Sequence, residues 1–290
     1  MFFGSIPALV TPFRDGKFDE NAFVTFVEWQ IAEGSSALVP CGTTGEAPTL
    51  PVEEHHRIIA ACVKAADGRV PVIAGCGSND TVTALDHLAR AAANGAEAAL
   101  VVTPYYNRPS QDGLIAHYER LADEATLPII LYTVPGRTGV NLSIETVARL
   151  SRHERIIGIK DATGDLGRVS ATRIAAGEGF VQLSGNDDTA LAFTAMGGEG
   201  CISVTANVAP RLCAALQEAC HAGAYHTARA IQHRLYPLHA ALFSDASPAP
   251  AKYALARLGK MTDEVRLPLV IASTAARAAV DAALAHAGIV

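Results

Sequence analysis

One lysine stands at the end of a short apolar run, and its position makes it the first candidate for chemistry. Of five lysines in the chain, Lys160 alone closes a run that is typical of a buried strand, IIGIK (156–160). Burial favours the neutral amine, and a neutral lysine amine can attack a carbonyl carbon to form a Schiff base. The alternative is a structural ion pair with a carboxylate such as the neighbouring Asp161.

Three tyrosines follow two other apolar runs. Tyr105 and Tyr106 lie in TPYYNRP (103–109), and Tyr132 begins YTVPGRTG (132–139). A phenol both donates and accepts a hydrogen bond, so these side chains suit proton transfer to and from a covalent intermediate. The alternative is that their rings only pack against neighbouring side chains.

Two further segments carry groups that could bind a carboxylate. Thr43 and Thr44 lie in the Gly-flanked loop CGTTGE (41–46), where backbone amides and two hydroxyls favour an anion. The same spacing also fits a helix capping box made by Thr43 and Glu46. Arg137, in GRTG, offers a bidentate fork for a second carboxylate, or is an ordinary surface arginine.

The sequence shows no metal site. The six cysteines include no C-x-x-C pair, and we expect them to be buried, reduced thiols. His55 and His56 are adjacent in a helical pattern, but no third ligand follows at a useful spacing. No Gly-rich phosphate loop or G-x-S-x-G turn is present.

These candidates must be positioned by eight short apolar runs, each followed by a helical pattern. The runs are 6–10, 37–40, 71–75, 98–102, 128–132, 156–160, 180–184 and 201–204. Continuous Val, Ile and Leu indicate strands buried on both faces, as in a parallel sheet. Eight such repeats predict an α/β fold of the (β/α)8 TIM-barrel type, whose active sites lie at the carboxyl ends of the strands. A doubly wound sheet is the alternative, but no G-x-G-x-x-G follows the first run.

The pattern changes near residue 224. The rest of the chain shows helical periodicity only, which predicts two or three helices packed on the barrel or on a neighbouring subunit. We therefore divide the chain into a catalytic barrel, 1–223, and a C-terminal helical region, 224–290.

Composition narrows the classes of partner and location. The chain of 290 residues is 50% hydrophobic and 18% charged, with net charge −6. No apolar run is long enough for a membrane span, and no basic patch indicates nucleic acid. The first residues lack a basic segment and soon meet a proline, unlike a signal peptide. We expect a cytoplasmic enzyme that binds neither membrane nor nucleic acid.

Several motifs together resemble the dihydrodipicolinate synthase family of pyruvate-dependent class I aldolases. They are GTTGE, TPYYNRPSQDG, LYTVPGRTG, GIKDATGD and ISVTANV, and the resemblance runs essentially end to end. It implies condensation of pyruvate with L-aspartate 4-semialdehyde to (4S)-4-hydroxy-2,3,4,5-tetrahydro-(2S)-dipicolinate, in the diaminopimelate–lysine pathway. It also implies a homotetramer, built as a dimer of dimers, and no metal or organic cofactor.

The resemblance assigns a role to each candidate. Lys160 would form the Schiff base, and Tyr132 would donate and accept protons. Thr43 would link Tyr132 to Tyr106, which reaches the site of the partner subunit.

Substrate binding is assigned in the same way. Thr44 and the backbone at Ile202 would hold pyruvate. Arg137 would bind the carboxylate of the semialdehyde at the mouth of the pocket.

Two departures from the family pattern have consequences. Thr133 replaces an asparagine beside Tyr132, and a small effect is expected because a hydroxyl still forms hydrogen bonds. Members inhibited by lysine often carry Ser, His and Glu where this chain has Ala47, Val52 and Thr83, although His55, Asn79 and Tyr105 remain. We expect weak or absent inhibition by lysine.

Two alternative functions remain open. An aldolase of the same superfamily could use a sugar acid or a hydroxy-oxoglutarate, although it need not keep GRTG. A non-catalytic sensor could keep the barrel, but it should have lost part of the set Lys160, Tyr132, Tyr106 and Thr43.

Overall fold

A computed structural model describes residues 2–290, and its centre is a ring of parallel strands. In chain order, the strands inside and outside this ring are β1 (Gly4–Pro7), β2 (Phe13–Arg14), β3 (Lys17–Phe18), β4 (Ile73–Gly75), β5 (Ala98–Val102), β6 (Ile129–Thr133), β7 (Ile156–Asp161), β8 (Val181–Ser184) and β9 (Gly200–Ser203). Seven of them form one sheet in the order β1–β9–β8–β7–β6–β5–β4, with parallel neighbours throughout. The short β2 and β3 form a separate antiparallel hairpin.

Residues 37–40 close the sheet into a ring. Val39 N donates to Pro7 O at 3.0 Å on one side, and Ile73 N donates to Leu38 O at 2.8 Å on the other. The segment pairs at isolated parallel bridges instead of a continuous ladder, because the chain turns left-handed at Cys41, where φ is 56°. With this eighth member the predicted (β/α)8 barrel is confirmed.

Helices alternate with the strands and then continue alone. They are α1 (Glu20–Ala32), α2 (Val52–Ala66), α3 (Thr81–Ala93), α4 (Gln111–Glu124), α5 (Pro135–Thr138), α6 (Ile144–Leu150), α7 (Gly167–Ala176), α8 (Ala190–Ala195), α9 (Pro210–His221), α10 (Tyr225–Ala241), α11 (Ala249–Arg257) and α12 (Thr274–His286). Asp19, Asp80 and Ser110 cap α1, α3 and α4 with side-chain acceptors. These caps satisfy amides that no helical carbonyl reaches.

Two apolar layers hold the barrel together. One fills the ring and includes Ile6, Val39, Leu100 and Ile130. The other lies between the strands and the surrounding helices, and it contains most of the buried leucine and alanine side chains. All six cysteines are free and buried, as predicted.

The last helices pack on the end of the barrel. The α10 helix contacts α9 and α12, and α12 contacts α11. The division at residue 224 into two regions stays a prediction. Among the described residues, no helix has the length and apolarity needed to cross a membrane.

Candidate active site

Lys160 and Tyr132 face each other at the carboxyl end of two neighbouring strands. They are register partners across β6 and β7, and Lys160 Nζ lies 4.3 Å from the centroid of the Tyr132 ring. Lys160 and Tyr132 are each only 6% exposed. Because Tyr132 belongs to the apolar layer inside the ring, the lysine amine is held at the inner, reactive end of the barrel.

The Asp161 carboxylate is committed elsewhere. Its oxygens accept from Arg168 Nε at 2.8 Å, from Thr163 N at 2.8 Å and from Thr163 Oγ1 at 2.6 Å. No ion pair involving Lys160 is found within residues 2–290. The structural ion pair weighed against a reactive amine is therefore not formed.

Gly185 keeps space for the Lys160 side chain. A Cβ atom at this position would lie 3.1 Å from Lys160 Cε and 2.5 Å from Ala162 Cβ. Contacts that short force the neighbours to move. Gly185, directly after β8, thus leaves the space that the Lys160 side chain occupies.

A Gly185→Ala substitution is expected to reduce kcat by displacing Lys160, and to lower the free energy of unfolding by about 1–3 kcal/mol through overpacking. Gly179→Ala is the matched control, because a Cβ there meets nothing within 4 Å. Steady-state kinetics and urea unfolding of both variants measure the effects. Equal kinetics for the two alanine variants would contradict the steric role of Gly185.

The loop 41–46 brings Thr43 to the same end of the barrel. Cys41 and Glu46 both adopt left-handed backbone conformations, with φ of 56° and 58°. Thr11 Oγ1 donates to Gly45 O at 2.7 Å. Any side chain at Gly75 would collide with the Cys41 carbonyl. Because residue 75 is a glycine, the loop can lie directly on the neighbouring strand.

Glu46 does not form the capping box that its spacing allowed. Its carboxylate instead accepts from Lys252 Nζ at 2.5 Å and from Arg266 N at 3.0 Å. Both members of the Lys252–Glu46 pair are 0% exposed at the side chain. Burial lowers the pKa of Lys252 to about 8, and the Glu46 carboxylate opposes that shift.

Sequence reasoning missed this pair. The two residues are 206 positions apart, and Lys252 stands in a Pro-rich helix start that carries no signal of burial. The pair attaches the loop of Thr43 and Thr44 to α11, so the C-terminal helices support a segment of the site.

A cavity of about 400 Å³ opens beside Tyr132, and Lys160 is not among its lining residues. Thr43, Tyr105, Tyr132 and Arg137 all line it. Its lining further includes Ala47, Val52, His55, Thr83 and His87, and no lining residue is acidic. The cavity can therefore hold a small carboxylate substrate beside the Tyr132 hydroxyl and an arginine.

The remaining candidate residues differ in their exposure to solvent. Thr44 is 5% and Ile202 1% exposed, and Ile202 lies with Tyr132 in the apolar layer inside the ring. Tyr106 is set apart: it is 91% exposed, with φ of 71°. In the single chain its phenol does not line the cavity.

Thr133 keeps hydrogen bonds in place of the asparagine expected from the family pattern. Its hydroxyl donates to Asn141 Oδ1 at 2.8 Å and accepts from Leu142 N at 3.3 Å. The residue is fully buried. These bonds support the expectation of a small effect on Tyr132.

The spacing of histidines along the chain does not show which of them lie together in the folded protein. His87, absent from the pattern around His55 and His56, lies beside them in space, with 3.1 Å between His56 Nε2 and His87 Nδ1. A third imidazole therefore joins the pair in space although none follows at a useful spacing in the chain, because α2 and α3 pack side by side.

The family model, the related sequences and the solved structures all indicate the same protein family. Residues 1–287 match the model of the dihydrodipicolinate synthetase family. The 4-hydroxy-tetrahydrodipicolinate synthase of Rhizorhabdus wittichii is 64% identical over 290 residues, covering all of both chains. That of Zymomonas mobilis is 62% identical over 291 residues, again covering both completely. The crystal structure of the chloride-inhibited dihydrodipicolinate synthase from Acinetobacter baumannii complexed with pyruvate is 42% identical, with a TM-score of 0.98 and full coverage of both chains.

Proposed function

This chain belongs to the dihydrodipicolinate synthetase family, and from that premise we infer that it condenses pyruvate with L-aspartate 4-semialdehyde. The product is (4S)-4-hydroxy-2,3,4,5-tetrahydro-(2S)-dipicolinate, in the diaminopimelate–lysine pathway. The enzyme is a lyase of the Schiff-base-forming, class I aldolase type. The observation that carries the role of Lys160 is its buried amine, which lies against the Tyr132 ring and forms no ion pair within residues 2–290.

The first half of the reaction takes place on Lys160. Its neutral amine attacks the C2 carbonyl of pyruvate, and the resulting carbinolamine loses water to give an iminium ion. Loss of a proton from C3 then gives an enamine, whose C3 is a carbon nucleophile. Burial at the end of β7 excludes competing water from this intermediate.

Tyr132 donates and accepts the protons of the reaction. Its ring lies against Lys160 Nζ, and it shares the cavity with Thr43. A hydroxyl there can protonate the carbinolamine oxygen as it leaves as water, and take the proton back later. Thr43 passes protons between Tyr132 and Tyr106 of the partner subunit.

The second half joins the two substrates. The enamine C3 adds to the aldehyde carbon, and Tyr132 supplies the proton to the new alkoxide. The substrate amine then attacks C2 of the iminium, closing the ring, and Lys160 leaves as the free amine. Thr44 and the backbone at Ile202 hold the pyruvate carboxylate.

Arg137 binds the carboxylate of the semialdehyde. It is exposed in α5 and lines the cavity, so its guanidinium stands at the mouth and not beside Lys160. A fork of two N–H donors recognises a carboxylate through charge-assisted hydrogen bonds. This selects an aldehyde that carries an acid group over neutral or polyhydroxy aldehydes.

Replacing Arg137 by Ala is expected to raise KM for the semialdehyde about 10- to 100-fold, the loss typical of a charge-assisted hydrogen bond. KM for pyruvate should change little. Initial-rate kinetics with each substrate varied in turn measures both constants, with the exposed Arg152→Ala as control. Unchanged constants for both substrates would remove Arg137 from the binding site.

The active form is a homotetramer, a dimer of dimers, that works in the cytoplasm. The exposed Tyr106 supports this assembly, because a phenol 91% exposed in one chain is available to reach a partner's site. Its positive φ of 71° is a strained backbone conformation for a residue other than glycine, as is found where a residue is held for function.

Free lysine is expected to inhibit weakly or not at all. Ala47, Val52 and Thr83 do come together in the cavity, and none of its lining residues is acidic. The ε-ammonium of lysine therefore finds no carboxylate partner there. A lysine titration of the turnover rate measures the IC50, and a sub-millimolar value would refute the expectation.

The variant Thr83→Glu tests the reason for that insensitivity. It returns a carboxylate to the cavity wall and should lower the IC50 for lysine. Val82→Glu places the same charge on the exposed face of α3 and should leave the IC50 unchanged.

Turnover itself tests the substrate assignment. The coupled assay supplies pyruvate and L-aspartate 4-semialdehyde, with sugar-derived and hydroxy-oxo aldehydes as controls. Preference for the semialdehyde supports the proposal. Preference for another aldehyde favours a different aldolase of the superfamily, and absence of turnover with all of them favours a sensor.

A further inference from the structure

Three histidines from neighbouring helices converge beside the cavity. His55 and His56 lie in α2 and His87 in α3, and one ring nitrogen of each lies within 4.8 Å of the others. The His55 and His87 ring centroids are 4.2 Å apart. We propose that these three imidazoles form a binding site for a divalent transition-metal ion of the Zn²⁺ and Co²⁺ class.

The nitrogen separations suit a shared ion. His56 Nε2 and His87 Nδ1 form a hydrogen bond at 3.1 Å, and an ion bound between them would replace it. Two nitrogens at about 2.0–2.1 Å from one tetrahedral ion are separated by roughly 3.4 Å. These two rings therefore need little movement, and the third nitrogen, which lies within 4.8 Å of the others, must approach by up to about 1.4 Å, which a change of side-chain torsion supplies.

His55 offers a lone pair that nothing else uses. Its Nε2 lies 2.9 Å from Gly75 O, and because a carbonyl only accepts, Nε2 carries the proton of the neutral ring. Nδ1 is then the unprotonated atom. It is buried without a hydrogen-bond partner in the described part of the chain, as is His56 Nδ1. A cation at His55 Nδ1 removes the cost of leaving that atom unpaired.

The rings are uncharged at neutral pH. Burial lowers the pKa of His55 to about 3, with a smaller contribution from the neighbouring histidines. Burial also lowers the pKa values of His56 and His87. Each neutral ring carries one proton, so the nitrogen that donates the His56–His87 hydrogen bond passes its proton to the other nitrogen of its own ring when an ion takes the place of that bond.

The charged groups next to the site partly offset one another, because both carboxylates there are paired with the one guanidinium. Two carboxylates, Glu53 and Asp86, and one guanidinium, Arg90, act on His56 from α2 and α3. His55 and His87 also line the cavity, so a fourth coordination position opens towards it. Three imidazoles with one open position are a common zinc arrangement.

Cobalt titration of the metal-stripped, full-length protein tests the site. The wild type should bind one Co²⁺ per chain, with the intense d–d absorption of a tetrahedral nitrogen site, and Zn²⁺ should displace it. His87→Gln is expected to weaken the affinity by at least about 100-fold through loss of a ligand. His153→Gln removes a histidine paired with Asp123 on the surface and should bind as the wild type does.

A second variant, His56→Gln, covers the case in which His87→Gln does not fold. Absence of the d–d band in the wild type, or an unchanged band in whichever of the two variants folds, overturns the proposal. Turnover of the metal-free protein with pyruvate and the semialdehyde is a separate measurement. Failure of the metal-binding test therefore does not bear on the proposed function, which the turnover assay tests on its own.

Discussion

Replacing Lys160 by Ala is expected to lower kcat by at least about 10³-fold, as removal of a covalent nucleophile does. The reason is that, of the lysines, only Lys160 lies at the carboxyl end of a barrel strand within residues 2–290. Fold and thermal stability should change little, because Lys160 is in no ion pair among the described residues. Turnover in the coupled assay and circular dichroism measure the two effects.

Lys64→Ala is the matched control for this variant. Lys64 is exposed in α2 and should be replaceable without loss of rate. Retention of more than about a tenth of the wild-type rate by Lys160→Ala would contradict covalent catalysis at this residue.

Replacing Lys252 by Met is expected to lower the free energy of unfolding by about 3–5 kcal/mol, because it leaves a buried carboxylate without its cation. Glu46 is 0% exposed and would keep only the amide of Arg266 as a partner of its two oxygens. Turnover should fall as well, since the pair anchors the loop of Thr43 and Thr44. Urea unfolding and steady-state kinetics measure both.

Two further variants distinguish the effect of leaving a buried charge unpaired from the effect of removing a lysine side chain. Lys17→Met removes an exposed cation from β3 and should leave stability near the wild-type value. The double variant Glu46→Gln/Lys252→Met no longer buries an unpaired charge, and should be more stable than Lys252→Met alone. A Lys252→Met protein as stable as Lys17→Met would show that the buried pair contributes little.

The barrel could be predicted because its signal is local. Each run of Val, Ile and Leu is buried on both sides, so it is recognisable within five or six residues. Lys160 could be singled out in the same way, since it directly follows such a run. The segment 37–40 shows the limit: its pairing is interrupted by the left-handed turn at Cys41, which no apolar pattern announces.

The parts that could not be predicted depend on distant contacts. Glu46 had a plausible local partner in Thr43, but its carboxylate binds a lysine 206 residues away. His87 meets His56 only because two helices pack side by side, 31 residues apart in the chain. Periodicity places each of these residues on a helix or loop, but it does not tell which helices become neighbours.

The assignment of Lys160 as the covalent nucleophile is tested most directly by trapping the Schiff base. The protein is incubated with pyruvate, reduced with sodium borohydride, digested and analysed by mass spectrometry. One 1-carboxyethyl group per chain, located on Lys160 and dependent on pyruvate, is the predicted result. No adduct, or an adduct on another lysine while Lys160 stays unmodified, would contradict it.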